Sequence, residues 1–132
     1  MARAQTLAQK LGVTEGTRIA TIAAPADYRA LLGPLPDGAE LVMRAPNEGA
    51  GIVHLFVGTM AELQTQLPRA RQAVSPSGAV WVSWQKKSSG IATDVSAPAI
   101  RAMALETTDL TDVRMISVND QWSVLKLVVR EA

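Results

Sequence analysis

Short apolar runs alternate with segments of helical spacing along this chain. The clearest run is 52–57, which is apolar except for His54 and is typical of a strand covered on both faces. Similar runs predict strands at 18–24, 40–44, 79–84, 113–118 and 124–130, and helices are predicted at about 5–11, 27–32, 59–74 and 97–105. Strands that alternate with helices favour a mainly parallel sheet with helices on both faces.

Local signals sharpen three of these elements. Thr59 and Glu62 have the spacing of a capping box, and Pro68 predicts either a kink in the helix that they open or two short helices in tandem. The sequence at 75–78, Ser-Pro-Ser-Gly, predicts a turn before the next strand. The five residues 119–123 are too few for a helical crossover, so the last two strands are predicted to be antiparallel.

The fold class follows from this order of elements. We expect a single Rossmann-like α/β domain over 1–132, with three layers and a mostly parallel sheet of about six strands. A C-terminal antiparallel hairpin completes the predicted sheet.

Composition restricts the chemistry. The 132 residues carry a formal net charge of +1 and few aromatic side chains, which speaks against a nucleic-acid partner. There is no cysteine and a single histidine, so neither a thiol nucleophile nor a metal site is predicted. No apolar run is long enough for a signal peptide or a membrane span, and we expect a cytoplasmic protein.

The order of elements, with its terminal hairpin, resembles a shortened class I methyltransferase. Residues 67–82 are similar to the turn and apolar strand that precede that hairpin in such enzymes. The resemblance implies S-adenosylmethionine as cofactor, held by a glycine-rich turn after the first strand and an acidic residue after the second. Here the first strand leads into Ala23-Ala-Pro-Ala-Asp27, without glycine, and the second ends at Arg44. A cofactor site in this chain would therefore be atypical.

A second resemblance covers nearly the whole chain. The sequences at 11–16 (LGVTEG), 32–38 (LGPLPDG), 84–90 (WQKKSSG) and 92–94 (ATD) are similar to those of a bacterial family of small Rossmann-like domains of unknown function. This resemblance implies the same fold and supplies no activity or cofactor.

A polar loop after the fourth predicted strand is the main candidate for a ligand site. Ligands of open α/β sheets bind outside the carboxyl ends of the strands, and lysines near a helix N-terminus favour anions. The alternative for this loop is ordinary turn and cap chemistry. If the fifth strand is parallel to the others, the closing hairpin and the residues after the first strand reach the same edge. The candidate residues are Lys86, Lys87, Ser88, Ser89, Gly90, Thr93, Asp94, Asp120, Trp122 and Tyr28.

His54 lies in the middle of its predicted strand, and we interpret it as a buried structural residue. A serine hydrolase is then not expected, because Ser88 and Ser89 have no other histidine as a base.

The leading hypothesis is a non-catalytic or regulatory domain that binds a small anionic ligand or a protein partner at the edge formed by Lys86 to Asp94. The alternative is a reduced S-adenosylmethionine-dependent methyltransferase with an atypical cofactor site. A third hypothesis is an interaction module, in which the terminal strand 124–130 is a sheet edge that pairs with another copy to form a homo-oligomer.

Overall fold

The computed structural model describes residues 7–43, 49–86, 90, 93–117 and 121–130. Its helices and strands follow one another in the order α1 (Leu7–Leu11), β1 (Arg18–Ile22), α2 (Tyr28–Leu32), β2 (Glu40–Val42), β3 (Ala50–Phe56), α3 (Met60–Ala73), β4 (Val74–Gln85), α4 (Ala97–Thr107), β5 (Leu110–Ser117) and β6 (Trp122–Val129).

The strands form one sheet in the order β2-β1-β3-β4-β6-β5. The four strands β1 to β4 are parallel, whereas β6 is antiparallel to both of its neighbours. The predicted six-stranded, mostly parallel sheet with a terminal antiparallel hairpin is confirmed.

The position of the last strand differs from the expectation. Strand β6 pairs with β4 on one side and β5 on the other, so it is not the edge at which another copy was expected to pair. Its apolar side chains explain the difference, because Leu125 and Leu127 are buried on one face and Val124 on the other. The edge strand is β5, where Val113 and Met115 are exposed.

Two apolar layers cover the sheet. Helices α1 and α2 pack on one face with Ile19, Ile52 and Trp81, while α3 and α4 pack on the other with Val53, Leu55 and other apolar strand residues. This is the predicted three-layer arrangement. None of the described helices has the length and apolar character needed to cross a membrane.

Helix α3 begins as the capping box predicts. The Thr59 hydroxyl accepts a hydrogen bond from the Glu62 amide at 3.1 Å, but the Glu62 carboxylate accepts from the Gly58 amide instead of that of Thr59. The helix continues through Pro68 to Ala73 without the break that proline predicts. Proline has no amide hydrogen, so the carbonyl four residues before Pro68 lacks its helical hydrogen-bond donor. Because Pro68 is exposed, solvent can supply the donor instead.

The turn predicted at 75–78 is wrong, because this segment belongs to β4. The register between β3 and β4 shifts here: Ala50 pairs with Val74, but Ile52 pairs with Ala79. A β-carbon at Gly78 would lie 2.5 Å from the Gly51 carbonyl oxygen, so the two backbones approach too closely for any side chain. Glycine therefore permits close packing of strands at this position, where the sequence suggested a reversal.

Candidate functional site

The sheet grows in two directions from its first strand: β2 is added on one side of β1 and β3 on the other. In open α/β sheets a ligand crevice lies outside the carboxyl ends of the strands at such a switch point. In this protein the switch point lies between β1 and β3, so the crevice is expected between residues 23–27 after β1 and 57–59 after β3. The loop that follows β4 lies beside it, at Thr93 and Asp94.

The turn after β1 begins with an unusual backbone conformation. Ala23 has φ 59°, in the left-handed region that glycine normally occupies. For an alanine this conformation costs roughly 1–2 kcal/mol. The chain thus makes at this point a turn that favours glycine, although residues 23–27 contain none. Asp27, at the end of the turn, is exposed and makes no side-chain cap hydrogen bond to α2.

Three side-chain acceptors bind backbone amides at the start of α3; two of these amides lie within the helix (Met60 and Glu62) and one just before it (Gly58). Besides the bonds made by Thr59 and Glu62, the Asp94 carboxylate accepts from the Met60 amide at 2.9 Å. Negative charge at a helix N-terminus is favourable because the free amide groups and the helix dipole are positive there. The loop after β4 is therefore attached to the helix after β3, and a carboxylate stands at the crevice.

Thr93 makes a second connection between the same two segments. Its hydroxyl donates to the Gly58 carbonyl at 2.7 Å and accepts from the Val95 amide at 3.1 Å. Two of the predicted ligand residues, Thr93 and Asp94, thus already make the turn and cap contacts that were the alternative interpretation of this loop. Each keeps an unused acceptor position, because a hydroxyl oxygen has two lone pairs and a carboxylate about four.

The remaining candidate residues are placed as follows. The Lys86 amide donates to the Gln121 carbonyl at 2.7 Å, and Gln85 pairs with Trp122. The hairpin and the start of the loop after β4 therefore meet at one edge of the sheet. Gly90 is exposed with φ 81°. Lys87, Ser88, Ser89 and Asp120 lie outside the described residues.

Tyr28 reaches the interior instead of the crevice. Its hydroxyl lies 2.8 Å from Nδ1 of His54, and Nε2 of that histidine lies 2.5 Å from the Ser83 hydroxyl. All three side chains are buried. A neutral imidazole donates from one nitrogen and accepts at the other, so it completes the chain of bonds without a charge.

Burial explains why this chain of bonds is neutral. It lowers the pKa of His54 to about 3 and raises the pKa of Tyr28. This geometry is consistent with the interpretation of His54 as a structural residue, because its ring is buried and both ring nitrogens contact buried hydroxyl groups. Histidine and serine serve as base and nucleophile in some enzymes, but His54 and Ser83 are both buried and neither contacts solvent.

Aromatic rings fill the space between this network and the crevice. Phe56 stacks on His54 with centroids 4.4 Å apart, and Trp122 meets Phe56 edge-on at 5.0 Å. Trp122 is half-buried, so one part of its ring belongs to the core and another reaches the edge.

Sequence reasoning missed two features of the site. Nothing in the sequence marks Ser83 except its place in an apolar strand, where a buried hydroxyl group needs a hydrogen-bond partner. The left-handed Ala23 also has no signal, because alanine rarely adopts this conformation. Among the residues that the structure describes, no group of three histidine or acidic side chains is arranged to hold a metal ion.

Comparison with known proteins identifies the fold. No family model matches the chain, and no curated protein does. Several solved structures are similar to the chain. One is a ribosomal protein L11 methylase from Lactobacillus delbrueckii subsp. bulgaricus, with a TM-score of 0.58 and 11% identity over 95% of this chain and 76% of that one. The B. subtilis tRNA methyltransferase TrmK gives 0.62 at 12% identity, over 96% of this chain and 64% of its own.

A third similar structure is a SAM-dependent methyltransferase from Aquifex aeolicus, with a TM-score of 0.57 and 12% identity over 92% of this chain and 87% of that one. At these identities the similarity concerns the fold and leaves activity open. The resemblance to the bacterial family of small domains stays a prediction. The chain has the Rossmann-like fold of the class I methyltransferases, as the order of its elements predicted.

Proposed function

We propose that this chain is a reduced S-adenosylmethionine-dependent methyltransferase whose cofactor binds in an atypical site at the carboxyl edge, between β1 and β3. This was the alternative hypothesis from the sequence. The similarity to structures of methyltransferases supports it over the non-catalytic one. Binding of the cofactor and transfer of its methyl group are both part of the proposal.

The observation that carries the proposal is the conformation of Ala23. A glycine-rich turn lets the backbone come close to a nucleotide, and its first requirement is a left-handed residue at the end of the strand. Ala23 adopts that conformation at a cost in free energy. Strained residues persist where the surrounding structure requires them, and they cluster at ligand sites. The chain thus makes a left-handed turn after β1 without a glycine.

The charges beside the turn suit this cofactor. S-adenosylmethionine carries a sulfonium and an ammonium group, both positive, and one carboxylate, so its net charge is positive. The side chains of Asp27, Glu62 and Asp94 are exposed around the crevice, and the latter two each use an oxygen at the start of α3. Carboxylates attract such cations, and an exposed carboxylate such as that of Asp27 can also accept hydrogen bonds from hydroxyl groups.

Isothermal calorimetry with S-adenosylmethionine tests the binding step. We expect saturable micromolar binding, weakened about fivefold by Asp27→Asn, the change in affinity typical of a solvent-exposed charge. Asp37→Asn is the matched control, because Asp37 is also exposed but precedes β2 and therefore lies at the opposite edge of the sheet. An absence of binding at millimolar concentration would refute the proposal, as would equal effects of the two substitutions.

One observation favours the non-catalytic hypothesis as a second candidate. Among the described residues, the one histidine of the chain is buried, as is Ser83, so neither serves as an accessible base or nucleophile at the crevice. In that case the domain binds a small anionic ligand or a protein partner beside Lys86 and Asp94, without turnover. A radiolabelled methyl-transfer assay separates the two candidates, because cofactor binding without any methylated product supports the regulatory role.

A further inference from the structure

Two cations stand directly opposite each other on one face of the hairpin. Arg114 on β5 pairs with Lys126 on β6, and side chains of such a pair start about 5 Å apart. Neither forms an ion pair within the part of the chain that the structure describes, where the salt bridges involve other residues. Like charges in this arrangement repel and destabilise a sheet, so the pair requires an explanation.

A β-bulge produces the arrangement. Asp112 pairs with Leu127 and Arg114 with Lys126, so Val113 is an extra residue in β5. With regular pairing, Arg114 would lie opposite Leu125, on the face that α3 and α4 cover. The bulge turns it to the face of Lys126 and leaves Val113 about half exposed. Bulges commonly redirect a side chain toward a site, and this one brings two like charges together.

A cavity lies beside Lys126 on the same face. Its volume is about 200 Å³, and its lining includes Gly12, Gly51, Ser77 and Gly78. Small residues leave backbone and hydroxyl groups accessible to a ligand. Lys126 lines this cavity, and its ammonium lies 5.5 Å from the centre of the Trp81 ring, a cation–π contact.

We propose that this face binds a phosphate group, free or at the end of a small metabolite, between Lys126 and Arg114. A dianion neutralises both cations and removes their repulsion, and guanidinium and ammonium groups are the side chains that bind phosphate best. Ser77 lines the same cavity, and its hydroxyl is a candidate donor. The site is on the α1 side of the sheet, away from the carboxyl edge, so it is independent of the proposed cofactor site.

Calorimetry on the full chain with inorganic phosphate, and in parallel with glycerol phosphate, tests the site at constant ionic strength. We expect saturable binding in the micromolar to low millimolar range. Arg114→Gln and Lys126→Met should each weaken it about tenfold, the effect of one lost charge-assisted hydrogen bond. Arg69→Gln is the matched control, because Arg69 is exposed on α3, on the opposite side of the sheet.

Thermal unfolding without ligand distinguishes binding from a structural role. Loss of Arg114 removes a repulsion, so Arg114→Gln should leave the melting temperature unchanged or raise it, while phosphate binding falls. Binding of glycerol phosphate alone would assign the site to phosphate esters, and binding of both to the phosphate group itself. If neither ligand binds, if chloride competes equally, or if Arg69→Gln weakens binding as much, the site does not exist.

Discussion

The Asp94 carboxylate accepts a hydrogen bond from the Met60 amide at 2.9 Å and so joins the loop after β4 to the first turn of α3. The two residues are 34 positions apart in the sequence, yet the parallel pairing of β3 and β4 brings the ends of both strands together. Asp94 thus caps the neighbouring helix, while Ser96 caps α4, the helix that follows this loop.

This contact predicts a measurable loss of stability. Asp94→Ala should lower the free energy of unfolding by about 1 kcal/mol, because the Met60 amide loses its acceptor and α3 loses a favourable charge. Asp94→Asn keeps an acceptor and should cost about half as much. Urea denaturation measures both, with Asp37→Asn as the control at an exposed acidic position. Equal stability of the Asp94→Ala variant would show that solvent replaces the bond without loss.

The buried histidine predicts a pH dependence. The pKa of His54 is lowered to about 3 in the folded protein, against an ordinary value of about 6.5 when unfolded. At pH values below the pKa of His54 in the unfolded chain, the unfolded chain binds a proton at this residue that the folded chain does not bind. Stability should therefore fall as the pH drops below about 6.5, by roughly 1.4 kcal/mol per pH unit, and should not change on this account at higher pH.

Urea denaturation at a series of pH values measures this slope. His54→Gln removes the titrating group, so the variant, although less stable at neutral pH, should lack the slope between about pH 6 and pH 5. Below that range the carboxylates also titrate, and Asp109, whose pKa is lowered by its hydrogen bond to Arg71, adds to the loss of stability. A slope retained by the variant would mean that another group is responsible.

The left-handed turn predicts opposite effects of the same substitution at two positions. Ala23→Gly relieves the strain and should stabilise the fold by up to about 1 kcal/mol, less the entropy that glycine loses on folding. Ala26→Gly, in the same turn at an exposed residue outside the left-handed region, should instead lose about 0.5–1 kcal/mol. Chemical denaturation of both variants checks the contrast. A loss of stability at Ala23 would contradict the assigned strain.

The close approach of β3 and β4 predicts a large effect at Gly78. An added β-carbon would meet the Gly51 carbonyl oxygen at 2.5 Å and a Val74 methyl at 2.8 Å, so Gly78→Ala should destabilise the fold by about 1–3 kcal/mol. Gly58→Ala serves as the control, since its β-carbon would meet only the Glu62 carboxylate, at 3.5 Å. Thermal unfolding of the two variants should differ clearly. Similar melting temperatures would show that β4 shifts to make room.

Much of the fold could be predicted from the sequence because its strands are apolar and its helices carry caps. The run at 52–57 became β3, the Thr59 cap opens α3, and the short final connection gave an antiparallel hairpin. What failed depends on pairing between distant segments. The place of β6 between β4 and β5, and the inclusion of 75–78 in β4, follow from contacts that no local pattern contains.

The candidate site was predictable in position but less so in its contacts. Strand direction alone placed Trp122 and Lys86 at one edge. The contacts of Thr93 and Asp94 with the start of α3 could not be read from the sequence, because a polar loop residue has the same signature whether it binds a ligand or a neighbouring helix. Tyr28 was assigned to the edge from its place after β1, but its ring turns inward to His54.

The place of β6 also determines when the sheet can be completed. Strand β5 is synthesised first, yet among the described strands it pairs only with β6, and β6 pairs with both β5 and β4. On a growing chain, β5 therefore has nothing to pair with until the strand after it has left the ribosome. Two of the six strands therefore join the sheet in a single late step that depends on long-range contacts, which are slow to form. Until then, the apolar edge of β4 stays open to other chains.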